Sequence, residues 1–356
     1  MQLIRIIFSL SEPSVPRIET RLPMPGGLWA ITGVAGFIGS NLLQRLLSAD
    51  QQVVGFDSFA TGSPANLEDV QRAVTPQQWA RFSFSKVDIL EQEVLTRRLE
   101  GVDCLLHQAA LGSVPRSIEN PLATNAANVT GFLTVLEAAR ASGVRTVVYA
   151  SSSSVYGDAR ELPQREGRVG KPLSPYAASK QANEAYAAAY AQCHGMTLVG
   201  LRYFNVFGPR QNPRGPYAAV IPQWIAALVR GDPLFINGDG TTSRDFCCID
   251  NVVHANVLAA TGAAPGTSNV YNVAGGEQTS LAALFQLLAD LVAERIGDPA
   301  IRKREPILRD FRPGDLQHSL ADLTAIGIDL GYRPVIGVRE GLRVAVDWFC
   351  RTLDGK

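Results

Sequence analysis

The chain has 356 residues, enough for two domains or one large α/β unit with a full core. Lys plus Arg and Asp plus Glu both number 33, so the net charge is zero and the cation surplus that binds a nucleic-acid backbone is missing. With 46% hydrophobic and 19% charged residues the chain is not disordered, and no apolar run approaches the roughly 18 to 20 residues of a membrane span.

Residues 1–26 hold a short apolar stretch broken by Arg5 and followed by no small-residue cleavage site, so they read as an N-terminal extension and not as a signal peptide. From Gly27 short apolar runs alternate with helical stretches. Residues 28–32 read as a strand and 42–47 as part of a helix; 52–56, 81–87, 102–108, 146–151 and 197–203 read as further strands. Strands rich in Val, Ile and Leu separated by helices predict a parallel sheet covered on both faces, an α/β doubly wound Rossmann fold. After Tyr203, Pro209, Pro213, Pro216 and Pro222 crowd the chain, and Asn237-Gly238 signals a turn, which predicts a smaller, looser, lid-like α/β lobe. Residues 270–273 form one more β-branched run able to rejoin the main sheet. The expected division is 27–205 with 252–277 for the nucleotide domain, and 206–251 with 278–356 for an interleaved substrate domain.

Five cysteines, at 104, 193, 247, 248 and 350, form no C-x-x-C pair, which predicts reduced thiols in a cytoplasmic protein. Four histidines, at 107, 194, 254 and 318, show no metal-ligand spacing, so no metal site is expected.

Gly33-Val34-Ala35-Gly36-Phe37-Ile38-Gly39 follows the first strand and opens directly into a helix. Glycines let the backbone approach a pyrophosphate, which then rests on the partly positive helix N-terminus. Asp57 ends the next strand, where a carboxylate accepts hydrogen bonds from a ribose diol and repels a 2'-phosphate, favouring NAD over NADP. Asp88-Ile89 follows the third strand and falls beside the adenine.

Tyr176-Ala177-Ala178-Ser179-Lys180 opens an Ala-rich helix, so Tyr176 and Lys180 stand one turn apart on one face. An ammonium beside a phenol is expected to lower the phenol's pKa and make it a base near neutral pH. Ser151-Ser152-Ser153-Ser154 ends a strand at the carboxyl edge, where open α/β sheets bind ligands. A dinucleotide loop, a hydroxyl donor and a lysine-activated phenol make the proton-handling half of a hydride-transfer site.

Carrying these motifs, the chain resembles the extended short-chain dehydrogenase/reductases and, within them, the nucleotide-sugar 4-epimerases, over residues 29–349. The family's G-x-x-G-x-x-G lies at Gly33, Gly36 and Gly39, its Y-x-x-x-K at Tyr176 and Lys180, and its catalytic hydroxyl at Ser152. Its R-Y-F-N substrate motif falls on Arg202 to Asn205, its diphosphate arginine on Arg244, and its late R-x-G-D on Arg312 to Asp315. The runs 107–117 and 202–208 resemble bacterial UDP-N-acetylhexosamine 4-epimerases of surface-polysaccharide synthesis, with Pro209 before Arg210 and Ser151 as departures.

The resemblance implies NAD held by Gly33, Gly36, Phe37, Ile38, Gly39, Asp57, Gly62, Asp88, Ile89, Gln108, Ala109, Ala110, Tyr176, Lys180 and Tyr203. It implies a UDP-sugar held by Gly112, Ser113, Ser153, Ser154, Asn205, Val220, Asn237, Arg244, Arg312, Asp315 and Ser319, with Ile221 or Phe235 beside the base. Tyr176 would take the 4-hydroxyl proton and Ser152 hold that oxygen, while a 4-keto sugar forms and is reduced on its other face. Seven positions after the late arginine, a tyrosine confines relatives to hexoses; Ser319 leaves room for an N-acetyl group, implying UDP-GlcNAc and UDP-GalNAc. UDP-glucose with UDP-galactose, or the uronic acid of UDP-GlcNAc, are the alternatives. Ser153 and Ser154 stand where 4,6-dehydratases carry Asp-Glu, and uronate decarboxylases carry Glu at the second position. A non-catalytic NAD sensor typically loses Tyr or Lys, and both are present. The resemblance further implies a homodimer on the helices carrying residues 125–140 and 176–190.

Overall fold

Seven strands form one sheet: β1 (Leu28–Thr32), β2 (Gln52–Asp57), β3 (Phe82–Lys86), β4 (Cys104–His107), β5 (Thr146–Ser152), β6 (Thr197–Tyr203) and β7 (Ser268–Val273). Their order is β7-β6-β5-β4-β1-β2-β3, with every neighbouring pair parallel. This computed structural model describes residues 27–214, 218–311 and 317–354. The expected N-terminal extension and the motif residues Arg312 and Asp315 lie outside them. β6 has the bounds the sequence predicts, whereas β4 is shorter, because Val102 still turns back onto Leu99 through its N–H.

The chain leaves β1 in one direction through β2 and β3 and returns on its other side through β4, β5 and β6. A crevice therefore opens between β1 and β4, above the carboxyl ends of the strands. The register aligns those ends: Thr32 pairs with Phe56 and His107, and Ser152 with Tyr203.

Seven helices frame the crevice and the later half of the chain: α1 (Phe37–Ser48), α2 (Gly131–Ser142), α3 (Pro175–His194), α4 (Val220–Arg230), α5 (Ile249–Gly262), α6 (Leu281–Ile296) and α7 (Val338–Asp354). α1 buries Leu42, Leu43, Leu46 and Leu47, an apolar stripe at helical period that lays it on the sheet. α3 starts where Ser174 accepts a hydrogen bond from the Ala177 N–H with Pro175 in the first turn, and stops at Gly195 in left-handed conformation.

The later half is not the looser lobe that its prolines predict. Ile225 of α4, Leu288 of α6 and Phe349 of α7 share one buried core with Leu42 of α1. Pro209 and Pro213 occupy the loop before α4, and Pro222 sits in its first turn, where no intrahelical N–H is needed.

Gly39 fixes how closely α1 approaches the turn before it: a Cβ there would lie 2.1 Å from the Gly33 carbonyl oxygen. Gly39→Ala is accordingly expected to cost about 1–3 kcal/mol, the usual range for overpacking. Thermal melts should show the loss, and an unchanged melting temperature would contradict the tight approach.

Candidate active site

The glycine loop hangs from β2 through Gly33 and Val34, whose N–H groups both donate to the Phe56 carbonyl at 2.8 and 3.2 Å. Gly36 is the N-cap of α1, in extended conformation and with no side-chain cap, so the first-turn amides at Phe37 and Ile38 face the crevice uncapped. Asp57, only 8% exposed, accepts from the Ala35 N–H at 2.9 Å and the Phe59 N–H at 2.7 Å. Burial raises its pKa while those two bonds oppose the rise. Gly62 passes so near that a Cβ would sit 2.8 Å from both Asp57 oxygens. Asp88 is exposed and accepts from the Leu90 N–H at 3.0 Å, while Ile89 packs against α2 at Gly131. Ala109 and Ala110 follow β4, half-buried, with the Ala109 N–H 3.4 Å from the Thr32 hydroxyl.

Ser152 ends β5, and its hydroxyl interacts with the Tyr176 phenol on α3. Its Oγ also accepts from the Ser154 N–H at 3.1 Å, which begins the short 3-10 turn Ser153–Tyr156. Lys180, 3% exposed, donates to the Ala150 carbonyl at 2.7 Å, with Nζ 5.9 Å from the centre of the Tyr176 ring. Burial pulls the ammonium down to about 8, against an upward pull from Glu184. Contrary to the sequence expectation, Tyr176 has a raised pKa: burial dominates, and the Ser152 hydrogen bond acts against it. His107, fully enclosed behind Lys180, is pulled down to about 3 by burial and then by the lysine charge; it is neutral, with Nδ1 2.7 Å from the Thr32 hydroxyl.

Arg202 does not reach a substrate site. It is enclosed behind β5, forming a two-pronged pair with Glu184 of α3 at 2.9 and 2.8 Å, and donating to the Glu166 carbonyl at 2.9 Å. Tyr203 and Gln108 are tied to each other, the hydroxyl donating at 3.1 Å, and both reach Asn256 of α5. A π-helical turn, Ala126–Thr130, directs Asn128 onto both backbone groups of Leu111 and onto the Ser179 hydroxyl of α3.

Beyond β6 lies a cavity of about 360 Å³, lined by Asn205, Gln211, Val220, Phe235, Asn237 and Arg244 among others. Of these, Gln211 was missed in the sequence; its Oε1 is buried without a hydrogen-bond partner. Arg244 donates to the Ser243 and Gln317 carbonyls at 3.0 and 3.1 Å. Arg309 stacks on the Phe235 ring at 3.4 Å. Ser319 does not line this cavity; it is buried, with its Oγ accepting from the Asp245 N–H at 3.3 Å. Gly112 is exposed, and Ser113 caps the short helix Val114–Glu119 from a left-handed φ of 124°. Among the described residues no cluster of His, Cys, Asp and Glu is able to hold a metal ion, and no helix is long and apolar enough to cross a membrane.

Residues 29–274 match the model of the NAD dependent epimerase/dehydratase family. The chain is 36% identical over 321 residues to the UDP-glucose 4-epimerase of Mycolicibacterium smegmatis, covering 90% of this chain and 97% of that one. Its fold is similar to that of a UDP-N-acetylglucosamine 4-epimerase from Methanobrevibacter ruminantium M1 in complex with UDP-N-acetylmuramic acid, with TM-score 0.82, 33% identity and coverage of 92% and 100%. It is also similar to the Thermus thermophilus UDP-glucose 4-epimerase complex with NAD, with TM-score 0.76, 32% identity and coverage of 91% and 99%.

The burial of Lys180 is directly measurable. In protein with isotope-labelled lysines, one amine resonance is expected to titrate near pH 8 and to vanish in Lys180→Met. A Lys180 that keeps its proton to pH 10 would contradict the enclosed geometry.

Proposed function

The chain belongs to the NAD dependent epimerase/dehydratase family, and from that premise we propose that it is a UDP-sugar 4-epimerase preferring UDP-GlcNAc and UDP-GalNAc. The observation carrying this reading is the convergence of Ser152, Tyr176 and Lys180 at the carboxyl edge beside a loop that fits a dinucleotide. Three features make the fit: uncapped amides at the start of α1, the enclosed Asp57 carboxylate, and the backbone of Gly62 pressed against it.

In this reading the amides of Phe37 and Ile38 hold the pyrophosphate and Asp57 holds the adenosine ribose. When bound, NAD supplies the acceptor for the C4 hydride and a positive charge near the phenol. Tyr176 takes the proton of the sugar 4-hydroxyl and later returns it. Ser152 holds the same oxygen, and Lys180 favours the phenolate. Arg244 grips the diphosphate together with Arg312, Asp315 takes the uridine ribose, and Val220 and Phe235 flank the base in the 360 Å³ cavity. The 4-keto sugar must turn about its diphosphate link before it is reduced on the opposite face.

Two further parts belong to the same reading. The apolar Leu122, 82% exposed, and the exposed Tyr186 support a homodimer on the helices around α2 and α3; a monomer by light scattering would remove it. A cytoplasmic location belongs to the same reading, favoured by nucleotide-sugar chemistry and the expectation of reduced thiols, and no disulfide joins any of the five cysteines.

Tyr176→Phe is expected to lower epimerisation about 10²- to 10⁴-fold, the range of a positioned acid-base group, while fold and NAD retention survive. Full activity in that variant would end the proposal.

The choice of sugar rests on the small side chain of Ser319 in a crowded place. A phenol there would have to displace the Asp245 contact, and the bulk it adds is expected to close the space an N-acetyl group needs. Ser319→Tyr should suppress interconversion of UDP-GlcNAc and UDP-GalNAc and spare UDP-glucose and UDP-galactose, read by NMR of the products. Equal loss on both pairs, or unchanged N-acetyl activity, would overturn this part.

A further inference from the structure

Tyr176, Lys180 and Glu184 recur every four residues along α3 and so form one stripe facing β5 and β6. Each member meets the sheet differently. Tyr176 reaches Ser152, Lys180 reaches the Ala150 carbonyl, and Glu184 accepts from the Ser151 hydroxyl at 2.6 Å and from Arg202 of β6. Three consecutive residues of β5 are thus matched to three consecutive turns of the helix.

The Glu184 carboxylate is enclosed, with side-chain exposures of 13% for Glu184 and 4% for Arg202. Its Oε1 accepts from both Ser151 and Arg202 Nε, and its Oε2 from Arg202 Nη2. Arg202 is held from its other side by the Glu166 carbonyl and by the face of Tyr156, its carbon 4.9 Å from the ring centre. Tyr156 in turn donates to Asn272 of β7 at 2.6 Å. The pair is therefore anchored to three strands and cannot swing away from the lysine one turn below.

We propose that Glu184 is a positioning residue that acts through Lys180: its carboxylate, oriented by Ser151 and Arg202, keeps the buried ammonium charged and holds α3 in register with β5. The charge on Lys180 is read directly, apart from any assignment of the substrate.

The groups facing Lys180 are few. Neutral His107 faces it from β4, the Ala150 carbonyl from β5, Tyr176 and Glu184 from its own helix, and Arg202 of β6 lies behind Glu184. Glu184 raises the lysine's affinity for its proton, and the Arg202 guanidinium bonded to the same carboxylate carries the charge that opposes it. Replacing either member with a neutral residue should therefore shift the titration of Lys180 in opposite directions, a pattern that loss of packing alone would not produce.

The test is the titration of Lys180 in labelled full-length protein, with melting temperatures measured alongside. Glu184→Gln should move the midpoint down by about one pH unit, since the anion is gone and the Arg202 cation is left unbalanced. Arg202→Gln should move it up, since Glu184 is then unopposed. Glu184→Asp, which keeps the charge, should return the midpoint most of the way to that of the unaltered protein. If Glu184→Gln does not fold, Arg202→Gln and Glu184→Asp carry the test. A Lys180 midpoint unmoved in either folded glutamine variant, whatever happens to stability, would overturn the proposal, as would shifts of the same sign. These outcomes do not depend on turnover, so failure of the epimerase reading would appear separately, as folded protein with the expected titrations and no activity on any UDP-sugar.

Discussion

A lysine ammonium enclosed at 3% exposure is the constraint around which the site is organised. A charge removed from water destabilises the fold by several kcal/mol unless partners replace its hydration. The chain supplies a strand-end carbonyl, a carboxylate one turn along the helix and a histidine that stays neutral. Each partner comes from a different element, so α3, β4 and β5 have to be docked correctly before the charge is tolerated. The Glu184–Arg202 pair follows the same rule. Removing one partner of such an enclosed pair typically costs about 3–5 kcal/mol, whereas water screens exposed pairs such as Arg140–Glu137.

A second anchoring point joins the loop that carries dinucleotide-binding character to the wall of the cavity. Arg210 adopts a left-handed φ of 68° in the segment that also contributes Asn205 and Gln211 to the cavity. That conformation costs about 1–2 kcal/mol for a residue with a Cβ. It is offset by bonds from the guanidinium to Asp69 at 3.0 Å, Asn41 at 2.6 Å and Gln44 at 2.7 Å; charged hydrogen bonds of this kind contribute about 1.5–3 kcal/mol. Asn41 and Gln44 belong to α1, and Asn41 also donates to the Pro209 carbonyl. Trp348 of α7 adds its indole N–H to Asp69. The helix beneath the glycine loop and the wall of the cavity are thereby one rigid unit.

What was legible in the sequence was local. Short apolar runs alternating with helical stretches marked the strands and α1, and the glycine loop, Asp57 and the Tyr176–Lys180 spacing lie within a few residues of elements whose ends they mark. What was not legible depends on contacts across the chain. Arg202 sits in a motif shared with substrate residues, yet at a position on β6 that points behind the sheet, where only its partner 18 residues away explains it. Gln211 carries no local signal, because its place in the cavity is set by the Arg210 anchor. The tight packing of the later half was hidden because prolines read as breakers, while α6 and α7 bury their apolar faces against distant helices.

The two altered pKa values carry the last step. Burial pushes the phenol of Tyr176 up and the ammonium of Lys180 down, which is the wrong order for a base activated by its lysine alone. With the protein's own charges, Tyr176 holds its proton near neutral pH, and among the described residues it is Ser152 that lowers its affinity for it. A further positive charge beside the ring would favour the phenolate. The same enclosure that blocks deprotonation in the bare chain makes an added charge count for more, because little water is left to screen it. Burial thus opposes the phenolate and, in the proposed reading, would strengthen the effect of the positive charge that a bound cofactor supplies.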